Sequence, residues 1–233
     1  YRPLLPGGKM IEFNSMKDLK KLNNKTAAIV IELIQSGSGF KVASQAWIRK
    51  IRTVCKKLNI ILIFDEIQTC FGRTGNLFGF EKYNITPDIL CIAKGMGGGM
   101  PIGCFISSTK MMSNFSFNPS LGHITTFGGH PVNCAAALKT LEILTETNII
   151  KTIHEKEILF RKLLNHKEII EINGLGLMLG VKFKNEKLCD SIIRKCRENG
   201  LLTFYFLFEK KSMRITPPLT VVSEFCPNTL FLS

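Results

Sequence analysis

Two short apolar runs, Ile60-Ile61-Leu62-Ile63-Phe64 and Ile89-Leu90-Cys91-Ile92-Ala93, constrain this chain more than any other feature. Neither alternates with polar residues. Each therefore suits a strand buried on both faces, as in a parallel sheet covered by helices. Each run ends on a charged residue, Asp65 in one case and Lys94 in the other. Strand-type and helix-type segments alternate around them, the pattern of an α/β fold. Residues 26–32 form a further apolar run closed by Glu32. Over 44–58, Ile48, Ile51, Val54, Cys55 and Leu58 recur at helical spacing with basic residues between them. Residues 102–107 read as a strand returning along the sheet. Pro131 occupies a position favoured for the first residue of a helix, here one rich in Ala and Leu that runs to about Thr145.

The last third reads differently. A charged helix ends near Leu164, and a strand (177–183), a helix (about 187–199) and a strand (212–216) follow. This predicts a smaller α+β domain, with a division into residues 1–149 and 150–233. No internal repeat and no low-complexity linker separates the two.

Composition narrows the function. The formal net charge of +13 invites a nucleic-acid reading, but the lysines are spread along the whole chain, without zinc-finger spacing or an RNP-type aromatic motif. A solvated basic surface is the expectation, with no nucleic-acid partner. No apolar run reaches the roughly 18 residues needed to span a bilayer. The start, Tyr1-Arg2-Pro3-Leu4-Leu5-Pro6-Gly7-Gly8, lacks signal-peptide character and an initiator Met, so an upstream portion is expected. The eight cysteines form no C-x-x-C pair, and several lie in apolar runs. Neither disulfides nor zinc is expected, and a reducing, cytoplasmic setting fits. His123 and His130 have no Cys or acidic partner at ligand spacing, so they are read as polar loop residues and no metal is assigned.

In open α/β sheets, ligands sit beyond the carboxyl ends of the strands, where Asp65 and Lys94 emerge. Taken singly, either could simply meet solvent. As a pair they are more specific. A lysine at the mouth of an apolar strand is expected to be partly desolvated, which favours the neutral amine that attacks a carbonyl. An aspartate at the neighbouring strand end is the group that keeps a pyridine nitrogen cationic. The glycines of Gly95-Met96-Gly97-Gly98-Gly99 allow close approach of backbone and ligand. They match neither G-x-x-x-x-G-K-[ST] nor G-x-G-x-x-G, which excludes a nucleotide cradle.

These blocks resemble the class III aminotransferases. The resemblance is carried by Leu62-Ile63-Phe64-Asp65-Glu66-Ile67-Gln68-Thr69, Phe71-Gly72-Arg73-Thr74-Gly75, Pro87-Asp88-Ile89-Leu90, Ala93-Lys94-Gly95-Met96-Gly97-Gly98-Gly99 with Pro101-Ile102-Gly103, and Thr125-Thr126-Phe127-Gly128-Gly129, in that order. It runs from about residue 1 to 220. It implies a fold-type-I large domain, partial here, with a mixed, mostly parallel sheet and a small α+β C-terminal domain. It also implies pyridoxal 5'-phosphate as cofactor, with Lys94 binding it covalently and then acting as the base. Asp65 would pair with the ring nitrogen and Gln68 with its phenolic oxygen. Thr126 would reach the cofactor phosphate of a neighbouring subunit, which implies a homodimer. Arg214 would clamp the substrate carboxylate, a role that suits a planar guanidinium fork. Arg73 is given no catalytic role.

The implied reaction moves an amino group from an amino acid, with an acetylornithine-like donor favoured, to a 2-oxo acid such as 2-oxoglutarate, as in arginine biosynthesis. The alternatives are a same-fold aminomutase or decarboxylase, or an inactive fragment that serves only as a binding or dimerisation module. Three departures from the family stand out. In Glu32-Leu33-Ile34-Gln35-Ser36-Gly37-Ser38-Gly39, Leu33 replaces a proline and Gly37 a second glutamate that in several relatives pairs with an active-site arginine. The family extends well upstream of Tyr1, so a separately made N-terminal half is a candidate partner. Residues 221–233 do not read like the family's closing helix.

Overall fold

The computed structural model describes residue 3, residues 6–118, residue 120 and residues 122–222. In chain order its elements are β1 (Ala28–Glu32), β2 (Ile34–Gln35), β3 (Lys41–Val42), α1 (Gln45–Leu58), β4 (Ile61–Asp65), β5 (Ile89–Ile92), β6 (Cys104–Ser107), α2 (Thr109–Met112), α3 (Pro131–Glu146), α4 (Ile153–Leu163), β7 (Ile169–Leu175), β8 (Met178–Phe183), α5 (Glu186–Glu198), β9 (Phe204–Tyr205) and β10 (Ser212–Ile215). The reading of residues 221–233 falls almost wholly on 223–233, outside the described residues.

The two runs that opened the analysis become β4 and β5. They lie in a sheet of order β1-β4-β5-β6, with β1, β4 and β5 parallel and β6 antiparallel to β5. The register sets Glu32 beside Asp65 and Asp65 beside Cys91, so three strands deliver their carboxyl ends to one edge. Helix α1 starts where expected because the Ser44 hydroxyl accepts the Trp47 N–H, and it stops at Asn59 in the left-handed conformation. Its apolar stripe of Trp47, Ile48, Ile51 and Cys55 is buried in one cluster with Leu62, Phe64, Leu90 and Ile92.

The expected burial of both sheet faces is not met. Ile61, Ile63, Ile89 and Cys91 are only half-buried, and Val30 is 64% exposed. Alternate residues of a strand point to opposite faces, and the described residues cover the α1 side far better than the other.

A second sheet, of order β7-β8-β10-β9, is antiparallel throughout. Leu179, Val181, Met213 and Ile215 pack with Ile153 and Phe160 of α4 and Cys189 of α5 in a separate core. Strand β7 was not legible in the sequence: Glu171 and Asn173 interrupt its apolar residues, and an irregularity between Ile169 and Glu171 breaks the two-residue period. A small cluster of Ile34, Phe40, Met178 and Phe206 joins the β2–β3 ribbon to this second sheet. Among the described residues, no helix is long and apolar enough to cross a membrane, and no group of three His, Cys, Asp or Glu side chains could hold a metal ion.

Burial has a consequence at high pH. It pushes the Cys55 thiol up to about 11, the Cys70 and Cys189 thiols up to about 12 and the Tyr83 phenol up to about 12. Unfolded, these groups lose protons near 9.0 for the thiols and 10.0 for the phenol. Above those values the unfolded chain binds fewer protons than the folded one, so stability falls as pH rises, until the folded values are passed. Urea midpoints are expected to stay level up to about pH 8.5 and to drop steeply from about pH 9.5 upward. A profile flat to pH 11 would contradict the burial of these groups.

Candidate active site

Strand β5 ends at Ile92, and Ala93 carries the chain into Lys94, the first residue of a 3-10 turn (Lys94–Gly97). Lys94 has φ +48°, a left-handed conformation that a residue with a side chain adopts at a cost of about 1 kcal/mol. Phe40 (φ 54°) and Phe71 (φ 55°) are held in the same region, and both lie at the site. Strain of this kind persists only where the surrounding packing enforces it. At the end of the turn, Gly98 lies against α3, where a Cβ would sit 2.4 Å from Thr140 Oγ1.

Lys94 opens into a cavity of about 390 Å³ that Gln68, Arg73, Thr140 and Arg214 also line. Three of the five sites expected from sequence, Lys94, Gln68 and Arg214, are thus brought to one space. No acidic residue lines it, so the cavity is cationic. Lys94 itself is exposed, which corrects the expectation that the strand mouth would desolvate it. The β5 exit leaves the side chain at an edge that the described residues do not close over.

Arg214, on β10, is half-buried. One Nη2–H donates to the Ser36 carbonyl at 2.8 Å, and the guanidinium lies 4.6 Å from the centroid of Phe206 and 5.4 Å from that of Phe40. Its Nε is buried without a partner, and among the described residues no carboxylate comes within ion-pair distance. Desolvation lowers its pKa, while the charge of Glu32 works in the opposite direction. Glu32 is occupied by Ser36, accepting its N–H at 2.9 Å and its hydroxyl. Gly37 is crowded: a Cβ there would sit 2.9 Å from a Phe208 ring carbon.

The other two expected residues lie elsewhere. Asp65 is at the end of β4, its Oδ1 accepting the Ile67 N–H at 3.1 Å, and it lines a separate recess of about 230 Å³ with Glu32, Gln35 and Trp47. Thr126 is exposed on the segment before α3, away from the Lys94 cavity, beside Ile124 (73% exposed) and Phe127 (76% exposed). His123, read as a polar loop residue, stands edge-on to Phe105 at 5.1 Å.

Sequence reasoning missed Glu66. It is fully buried, accepting the Gly79 N–H at 2.5 Å, the Phe80 N–H at 2.7 Å and the Thr69 hydroxyl at 3.0 Å. Burial raises its pKa, and the two backbone donors oppose that. It ties down the loop that presents Gln68 and Phe71. The available signal was a second acid after Asp65, in a segment with no basic residue to pair it before Arg73.

The family model described as Aminotransferase class-III matches residues 9–230. An acetylornithine aminotransferase of Clostridium acetobutylicum is 39% identical over 233 residues, covering 96% of this chain and 58% of that protein. One from Methanocaldococcus jannaschii is 40% identical, covering 96% of this chain and 56% of its own length. Among solved structures, the ornithine aminotransferase from Toxoplasma gondii, with partial occupancy of PLP at its active site, superposes with a TM-score of 0.87 at 29% identity, covering 95% of this chain and 53% of that one. The chain therefore spans little more than half the length of these relatives.

Proposed function

Since the chain belongs to the class-III aminotransferase family, we propose that it moves an amino group from an amino acid to a 2-oxo acid such as 2-oxoglutarate, with pyridoxal 5'-phosphate as cofactor. The observation that carries this reading is that Lys94, Gln68 and Arg214 share one cavity with no acidic residue in its lining. An amine, an amide and a guanidinium suit an anionic cofactor together with a carboxylate substrate. Lys94 would hold the cofactor covalently and Gln68 would contact it within the same cavity, while Asp65 would reach it from the adjoining end of β4 and Thr126 would contact the cofactor of a second subunit. When bound, the cofactor supplies an electron-poor ring that accepts electron density from the substrate α-carbon. The Lys94 amine would take the proton from the substrate α-carbon and pass it to the cofactor, from its place at the cavity mouth. The free guanidinium edge of Arg214 receives the substrate carboxylate, and the two phenyl rings hold its plane.

The acetylornithine-like donor is favoured by the 39% and 40% identical relatives, and with it a place in arginine biosynthesis. Thr126, exposed among apolar side chains and away from the Lys94 cavity, is consistent with a homodimer in which it serves the partner's site. The exposed Lys94 and the half-covered sheet face favour a further polypeptide segment, such as a separately made N-terminal half. The two separate cores support a division at residues 1–149 and 150–233. A cytoplasmic location is part of the same proposal.

Transfer from acetylornithine to 2-oxoglutarate is expected when the chain is co-expressed with a segment matching the rest of its relatives' length. Failure of that pair would favour a binding or dimerisation module instead, and rearrangement of the donor without transfer would indicate an aminomutase. In the active form, Arg214→Lys is expected to lower kcat/KM by roughly 10- to 150-fold, about 1.5–3 kcal/mol. An unchanged kcat/KM would remove Arg214 from the site.

A further inference from the structure

We propose that Arg73 is a positioning residue: it clasps the strand that carries Arg214 to the loop preceding Lys94, and so sets the separation between the amine and the carboxylate-binding guanidinium. The inference rests on the transferase reading above. Arg73 is half-buried, and desolvation lowers its pKa. Among the described residues it has no carboxylate partner. Its Nη1 donates to two carbonyls instead, Leu177 O at 3.1 Å and Pro217 O at 2.6 Å. Both belong to the second sheet's connections. Leu177 lies in the β7–β8 turn, and Pro217 lies three residues beyond Arg214.

The contact is reciprocal. The Leu177 N–H donates back to Arg73 O at 3.0 Å. The two backbones press so closely that a Cβ on Gly176 would sit 2.5 Å from Arg73 O. From its other side the same turn is fixed by Glu157, which accepts the Gly176 N–H at 2.7 Å, and by Arg161, which donates to the carbonyls of Ile172 and Gly174 at 2.8 Å each. The turn is therefore a rigid abutment, and Arg73 is the side chain that joins it to both the Pro217 segment and the loop of Phe71. Phe71 lines the Lys94 cavity with Arg73. A displacement of about 1 Å in a binding group is enough to lower productive engagement about 100-fold.

Arg73 also lines the cavity, so a direct ligand contact is the competing explanation, and side-chain chemistry separates the two. An ammonium can donate to both carbonyls as a single Nη1 does, but it cannot reproduce a fork on a carboxylate. The experiment measures 2-oxoglutarate binding calorimetrically, and hydrogen exchange of the Thr216 and Leu219 amides, on the purified chain. Arg73→Met is expected to weaken binding roughly 10- to 100-fold and to speed exchange at those amides without changing α1. Arg73→Lys should stay within about 3-fold of the wild type in binding. Gly176→Ala, which leaves the guanidinium intact but pries the turn from the Arg73 carbonyl, should reproduce the Met phenotype even if Arg73→Met does not fold. Wild-type binding in the Met variant overturns the clasp. So does a Lys variant as impaired as Met, because the fork would then be touching the ligand. If the wild-type chain alone binds no 2-oxoglutarate, the transferase reading is judged by the co-expression assay instead. The exchange measurement then judges the clasp alone, and unchanged amides overturn it.

Discussion

Lys94→Ala is expected to abolish amino-group transfer in the active form, a loss of at least roughly 10⁴-fold. It should also remove the long-wavelength absorbance band that pyridoxal 5'-phosphate develops when held by a lysine. The size of the loss follows from the proposed double use of one atom, in which the Lys94 amine would both anchor the cofactor and carry the substrate proton. The backbone gives a second readout. With φ at +48°, alanine remains strained at this position whereas glycine is relaxed. Lys94→Gly should therefore be about 0.5–1 kcal/mol more stable than Lys94→Ala, although both are inactive. Identical cofactor spectra for wild type and Lys94→Ala would end the assignment of Lys94. Equal stability of the two variants would mean that the left-handed turn is not enforced by its surroundings.

Glu66→Leu carries the largest expected stability effect, a loss of about 3–5 kcal/mol in urea or guanidinium unfolding. Three donors, the Gly79 and Phe80 amides and the Thr69 hydroxyl, converge on this buried carboxylate. A leucine would leave all three without partners in a dry interior. Glu66→Gln should cost less, because one acceptor oxygen survives, although its NH2 would face a backbone donor. The loop from Glu66 to Phe80 also presents Gln68, Phe71 and Arg73, so loosening it should weaken cofactor binding in proportion to stability. Wild-type stability for Glu66→Leu would mean that the three donors find other partners.

Part of the candidate site was legible in residue order. Lys94 and Asp65 were placed at strand ends because an apolar run that stops at a charge marks where a buried strand reaches water. Arg214 came from the family resemblance, with the fit of a guanidinium fork to a carboxylate as its physical support. Glu66 was not legible as a structural lock, because its partners Gly79 and Phe80 are 13 and 14 positions away and contribute only backbone N–H groups, which every non-proline residue has. Arg73 could not be resolved between structure and chemistry for a similar reason, since its partners are the carbonyls of Leu177 and Pro217.

What the sequence by itself determined is local in origin: the α/β class, the strand ends that bear Asp65 and Lys94, the capped helix after Ser44 and the glycine turn after Lys94. These depend on periodicity, capping and φ preference over a few neighbouring residues. The tertiary structure alone decided which of the expected groups share a space. It gathered Lys94, Gln68 and Arg214 into one cavity, set Asp65 beside Glu32 in another recess and left Thr126 exposed. It also left Lys94 open to water, because the degree of burial at a strand end depends on what packs over it from distant parts of the chain or from another chain, and no local pattern encodes that.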